Sequence, residues 1–170
     1  MKLLHFLCIS IFTLPAYAHG PTPQKTDQSA LIDATPDVVW NALSEPCAIA
    51  DWHPQVAQCH AEGQLKRRLT LKNGKSIVEE VDEILPDAMS ISYRLGSDSD
   101  IEALPVSSLT GRIKVKIEAG KAEVTWITRY YRADTTNEPP EGMDDAAAQL
   151  SVNSYVKEGL SGLEAFLVRK

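Results

Sequence analysis

Seventeen basic against twenty-three acidic side chains leave the 170-residue chain with a net charge of −6. No basic stripe offers to neutralise phosphates, which argues against a nucleic-acid partner, and an anionic membrane surface is disfavoured. The length suits one domain with a real core.

Residues 1–18 read as a cleavable export signal. Lys2 gives the positive start, residues 3–14 form an apolar run too short to span a bilayer, and Ala16-Tyr17-Ala18 is a small-x-small cleavage site. The folding chain then begins at His19 in an oxidising compartment, the bacterial periplasm or the cell exterior. No later segment is apolar enough to span a membrane. Cleavage removes Cys8 and leaves Cys47 and Cys59. An even pair in such a compartment suggests one disulfide; two free, buried thiols are the alternative. Residues 19–27 are expected as an extended arm, and residues 28–170 as a single domain.

Residues 29–34 predict a short strand. Thr35-Pro36-Asp37 then opens a helix: Thr35 can cap, Pro36 suits the first helical position and Asp37 favours the dipole. Val39, Trp40 and Leu43 would face the core. Pro46 starts a second short helical turn, which Pro54 ends.

Over residues 56–133 the period changes to two, which predicts about six strands. Asn73-Gly74 signals a type I′ hairpin with a two-residue loop. That register sets Leu69 opposite Val78, Arg68 opposite Glu79 and Arg67 opposite Glu80. The inward face is then Leu65, Arg67, Leu69, Leu71, Val78, Glu80 and Ile84. Met89, Ile91, Tyr93 and Leu95 alternate with polar residues, as do Ile113, Val115 and Ile117, then Val124, Trp126, Thr128 and Tyr130. Gly120 marks the last hairpin. One-sided alternation of this kind means an antiparallel sheet with one covered face.

Residues 134–142, holding Pro139-Pro140, predict a loop. The rest predicts one long helix, with Asp144 and Asp145 at its start and Arg169 and Lys170 at its end. Ala148, Val152, Val156, Leu160, Leu163 and Leu167 form its apolar stripe.

The fold class expected is therefore α+β. A curved antiparallel sheet of about seven strands wraps around a long C-terminal helix, with two short helices after the first strand. A gap between sheet and helix stripe is a natural ligand pocket. The inward residues Arg67, Glu80, Tyr93, Trp126, Thr128 and Tyr130 would give it polar groups among apolar walls. Alternatively, Arg67 and Glu80 form a satisfied pair at the open end of the sheet.

The order of elements resembles the helix-grip fold of the SRPBCC superfamily, which includes START domains, polyketide cyclases and pollen-allergen-like proteins. The segments that carry the likeness are Ile32-Asp33-Ala34-Thr35-Pro36-Asp37-Val38-Val39-Trp40, Ile49-Ala50-Asp51-Trp52-His53-Pro54, Arg68-Leu69-Thr70-Leu71 with Asn73-Gly74, Val78-Glu79-Glu80, Tyr93-Arg94-Leu95 and Val124-Thr125-Trp126. A narrower likeness rests on the export signal, the new start His19-Gly20-Pro21-Thr22-Pro23-Gln24-Lys25, Leu104-Pro105-Val106-Ser107-Ser108 and Tyr130-Tyr131-Arg132-Ala133-Asp134. These resemble the MxaD-type periplasmic proteins of bacterial methanol oxidation. That resemblance implies an accessory role between a quinoprotein methanol dehydrogenase and its cytochrome c, without chemistry. The wider superfamily implies a small apolar or aromatic ligand, a lipid carrier, or a cyclase or dehydratase.

The chain carries no nucleophile motif, phosphate loop or zinc signature, and no cofactor or metal is expected. Cys47, His53, Cys59 and His60 fit no common zinc spacing. The α-amino group and imidazole of a freed His19 could chelate copper if a second histidine came close. Trp52 and His53 are placed at the rim of the cavity, where His53 either contacts a ligand or simply packs at a helix end. An enzyme would use Glu80 or His53 as base while Arg67 polarises a carbonyl. A nearby Arg67 would lower the Glu80 pKa and oppose that role.

Overall fold

A computed structural model describes residues 20–169. The segment expected as an export signal, with Cys8 in it, lies outside the described residues, as do His19 and Lys170. The chain runs β1 (Gln24–Ile32), α1 (Pro36–Ser44), α2 (Ile49–Trp52), β2 (Val56–Ala61), β3 (Lys66–Leu71), β4 (Ser76–Leu85), β5 (Ser90–Leu95), β6 (Val106–Glu118), β7 (Lys121–Arg132) and α3 (Asp145–Val168). The strands form one antiparallel sheet in the order β1-β7-β6-β5-β4-β3-β2. α3 packs mainly on β1 and β7, and α2 packs on α3. This is the helix-grip fold expected from the sequence.

β1 starts at Gln24, inside the segment expected as an arm. Gln24 pairs with Tyr130 and Ile32 with Ala122 along the whole of β7. The long partner strand supplies ladder hydrogen bonds that polar residues such as Thr26 and Gln28 do not advertise. α1 opens at Pro36, but Thr35 caps through its backbone position and makes no side-chain cap bond. Asp144 does cap α3, its side chain accepting from the Ala147 N–H at 2.8 Å.

The two hairpins around a glycine differ. Between β6 and β7, Ala119 and Gly120 both have positive φ and join the pair Glu118–Lys121, a two-residue loop. Between β3 and β4 only Gly74 does, at +82°. The Leu71 N–H donates to Lys75 O and the Gly74 N–H donates to Leu71 O. The loop therefore has three residues, Lys72, Asn73 and Gly74, with glycine in the left-handed place. The expected register is corrected by one residue. Arg67 lies opposite Glu79, Arg68 opposite Val78 and Leu69 opposite Ile77.

A slip of one residue exchanges the faces of a strand. Ile77, Glu79 and Val81 point inward, while Glu80 points outward and pairs with Arg94 at 3.0 Å. Val78 is buried on the outer face instead, because the Gly96–Ser99 turn covers it: its N–H donates to Ser99 Oγ at 2.9 Å. A bulge between Val81 and Glu83 reverses the phase again and returns Ile84 to the inner side.

Cys47 and Cys59 form a disulfide, which ties the α1–α2 connection to the edge strand β2. The two cysteines, 12 residues apart, form the single bond that an even pair suggested, rather than two free thiols.

Candidate functional site

A cavity of about 40 Å³ lies between the sheet and the α1–α2 connection. Leu43, Pro46 and Trp52 roof it, and Val81, Ile84, Ile91 and Ile113 form its sheet wall. Among its polar members are Arg67, whose side chain is 14% exposed, and the buried Tyr93. No residue of α3 lines it. The expected position, between the sheet and the α3 stripe, is corrected for this cavity: α3 packs on β1 and β7, and the cavity lies beside it under the α1–α2 connection.

β3 aims Arg67 inward, where all three guanidinium nitrogens find acceptors. Nε donates to Glu79 Oε2 at 2.7 Å, Nη2 lies 2.6 Å from the same oxygen, and Nη1 donates to the Pro46 carbonyl at 2.5 Å. Glu79 is 1% exposed. Burial works against the Arg67 charge, but the Glu79 carboxylate outweighs it and the guanidinium is held more firmly protonated than usual. The bond to Pro46 fastens the roof to the floor.

Tyr93 lies across Gly111 on the neighbouring strand. A β-carbon at Gly111 would stand 2.3 Å from the Tyr93 ring, so only glycine fits. The Tyr93 hydroxyl accepts from Trp126 Nε1 at 2.9 Å. Burial pushes its pKa well above the ordinary phenol value.

Trp126 belongs to a second group, packed solid beneath α3. The His53 ring stacks on Tyr155 with centroids 4.2 Å apart and meets Trp126 edge-on at 6.2 Å. His53 Nδ1 accepts from the Gln55 N–H at 3.2 Å. That fixes the tautomer: Nε2 carries the proton and donates to the Tyr155 carbonyl at 3.1 Å. His53 is 2% exposed, and burial lowers its pKa to about 4. Two glycines let α3 approach. A β-carbon at Gly159 would stand 2.7 Å from Trp126 and 2.8 Å from His53, and one at Gly162 would stand 2.2 Å from the Trp52 carbonyl.

The sequence-predicted residues therefore divide. Trp52, Arg67 and Tyr93 meet at the cavity. His53 and Trp126 lie in the aromatic group beside it, so His53 is interior rather than at the rim. Tyr130 lies under the first half of α3, within 3.2 Å of the Thr26 hydroxyl, which donates to Asn153 Oδ1 at 2.8 Å. Thr128 is buried and its hydroxyl has no hydrogen-bond partner among the described residues. Glu80 is on the other face. Sequence reasoning missed Glu79, Gly111, Tyr155 and Gly159. Glu79 followed from the turn length, and Tyr155 with Gly159 carried a signal in their four-residue spacing. Cys47 and Cys59 are spent on one another, and among the described residues no group of three or more His, Cys, Asp or Glu could hold a metal ion.

Residues 23–167 match the family described as polyketide cyclase/dehydrase and lipid transport. The chain belongs to that family. Among curated protein sequences none matches significantly. Among solved structures, the protein XoxI from Bacillus cereus is 24% identical, with a TM-score of 0.69, covering 84% of this chain and 95% of that one. The Zhui aromatase/cyclase from Streptomyces sp. R1128 is 16% identical, with a TM-score of 0.66, covering 87% and 95%. Norcoclaurine synthase from Thalictrum flavum is 10% identical, with a TM-score of 0.66, covering 98% and 100%. At these identities the three share the fold. Among the described residues no helix is long and apolar enough to cross a membrane.

Proposed function

We propose that this member of the polyketide cyclase/dehydrase family is an exported protein that binds a small, mainly apolar ligand and does not transform it. The observation that carries this is how the ionisable groups near the cavity are engaged. Glu79 is clamped by Arg67, and both ring nitrogens of His53 are committed to backbone groups. Neither is free to take a proton from a substrate, and a general base must reach that proton. What remains is recognition. Arg67 Nη1 and Nη2 each keep a second N–H, and Tyr93 keeps its O–H, so a ligand oxygen has donors to accept from. The cavity holds one such group, and a ligand of aromatic size requires the roof to lift.

The test is native mass spectrometry of the processed protein purified from its own host, beside an Ile84→Trp variant that plugs the cavity. A bound organic mass in the first and none in the second is expected. Native material free of bound mass overturns the proposal.

The finer role is that of an MxaD-type accessory in the periplasm. The leader sequence and the Cys47–Cys59 bond support export, since disulfides persist in oxidising compartments. The segments of the narrower likeness also adjoin: Val106 pairs with Arg132, and the Ala133 N–H donates to Pro105 O. With purified methanol dehydrogenase and cytochrome c, omitting this protein should slow electron transfer; an unchanged rate overturns the accessory role.

A further inference from the structure

On the sheet face opposite α3, β6 and β7 present Arg112, Lys114 and Arg129 around the half-buried Ile127. Cross-strand pairing sets Arg112 between Ile127 and Ser92, and Arg129 beside Thr110. Alternate residues on one strand stand about 7 Å apart. Among the described residues none of these three cations has an ion pair. Neighbouring cations do: Arg94 is held by Glu80 and Asp82, and Lys25 by Asp27. A groove of about 320 Å³ runs between Arg112 and Arg129, with Ser92, Thr110 and Ile127 in its walls. Asp82 also lines it, but Arg94 engages that carboxylate. Asp27 stands opposite Ile127 and is engaged by Lys25, and Arg94 is shared between Glu80 and Asp82. A face with three cations that have no ion pair among the described residues thus sits on a chain of net charge −6.

We propose that this face docks an acidic segment of a partner protein, whose carboxylates seat on Arg112, Lys114 and Arg129. Guanidinium groups take carboxylates in bidentate fashion, and Ile127 supplies an apolar centre of the kind protein interfaces use. An anionic membrane or a nucleic acid extends its charge over tens of ångströms, and the acidic remainder of the chain repels it. A compact acidic segment meets the patch alone, within a Debye length of about 8 Å. The proposal adds a docking surface to the accessory role and rests on that role only for the partner's identity.

The probe is a fluorescein-labelled alternating Glu-Ala octapeptide, followed by anisotropy and by amide chemical shifts of the full processed protein. Expected is binding that weakens about tenfold from low to physiological salt, with shifts along β6 and β7 at Thr110, Arg112, Lys114, Ile127 and Arg129. The triple variant Arg112→Gln, Lys114→Gln, Arg129→Gln should lose about tenfold in affinity at low salt while its near-ultraviolet circular dichroism is unchanged. Arg112→Gln alone, the variant to use if the triple fails to fold, should lose several-fold. Lys121→Gln, whose cation faces Asp33 instead, should lose nothing. Shifts elsewhere, an unaffected variant, or equal binding of phosphatidylglycerol vesicles or a single-stranded oligonucleotide overturns the proposal. If the peptide binds here while electron transfer is indifferent to the protein, the surface stands and the accessory role falls.

Discussion

Beneath α3 and beneath the α1–α2 connection, the same sheet meets two different covers. Under α3 the rings of His53, Trp126 and Tyr155 interlock, and Gly159 and Gly162 remove the side chains that would hold the helix away. Under the connection, Leu43, Pro46 and Trp52 bridge the sheet but leave a gap, with a buried ion pair at its inner end. A long helix with two glycines conforms to the sheet. Two short helices joined by a turn cannot, so the space for a ligand opens there. The difference teaches that in this chain the grip of the helix closes the interior, and the short helices decide whether anything enters.

The largest break in that contrast comes from the ion pair. Glu79→Ala strands a buried guanidinium and should cost about 3–5 kcal/mol in urea unfolding, with ligand binding lost as well. Next is pH, which acts on the packed half. His53 is held at about 4 when folded against 6.5 when free. The unfolded chain therefore binds the proton first as pH falls, and stability is lost from pH 6.5 down to about 4. The loss should approach about 3 kcal/mol, and His53→Gln should flatten this slope of unfolding free energy against pH. Gly159→Ala sharpens the same half. Helix propensity favours it by about 1 kcal/mol, but the Trp126 and His53 rings must yield, and a net loss of about 1–3 kcal/mol by thermal unfolding is expected. On the open half, Ile84→Phe should change stability by less than about 1 kcal/mol yet abolish the bound mass, since the added atoms enter empty space. Smallest is Tyr155→Phe. Its hydroxyl is buried with no hydrogen-bond partner among the described residues, so the melting temperature should hold or rise slightly.

The architecture was legible because period two and the α3 stripe are properties of the chain itself. Trp52, Arg67 and Tyr93 were legible for the same reason: apolar surroundings marked their faces. What escaped depended on partners. Asn73-Gly74 announces a turn but leaves open whether two or three residues span it, and that choice moved the acid from Glu80 to Glu79. Ile84 kept its inward place only because the β4 bulge offset the shift. Tyr155 and Gly159 each precede a member of the apolar stripe by one position. The buried face of α3 is wider than a seam of fours and threes, and a glycine's reason lies in the rings opposite.

The three-residue turn between β3 and β4 has a consequence for how this sequence can diverge. Exposed loop tips ordinarily tolerate gain and loss of residues. Here the count of Lys72, Asn73 and Gly74 phases two strands against each other. Deleting one would ask Arg67 to face a different acid, or β4 to turn its apolar side to water. Substitution at this tip is cheap and a change of length is not. Relatives with freely varied residues in this turn but the same number of them would be recording the position of Glu79.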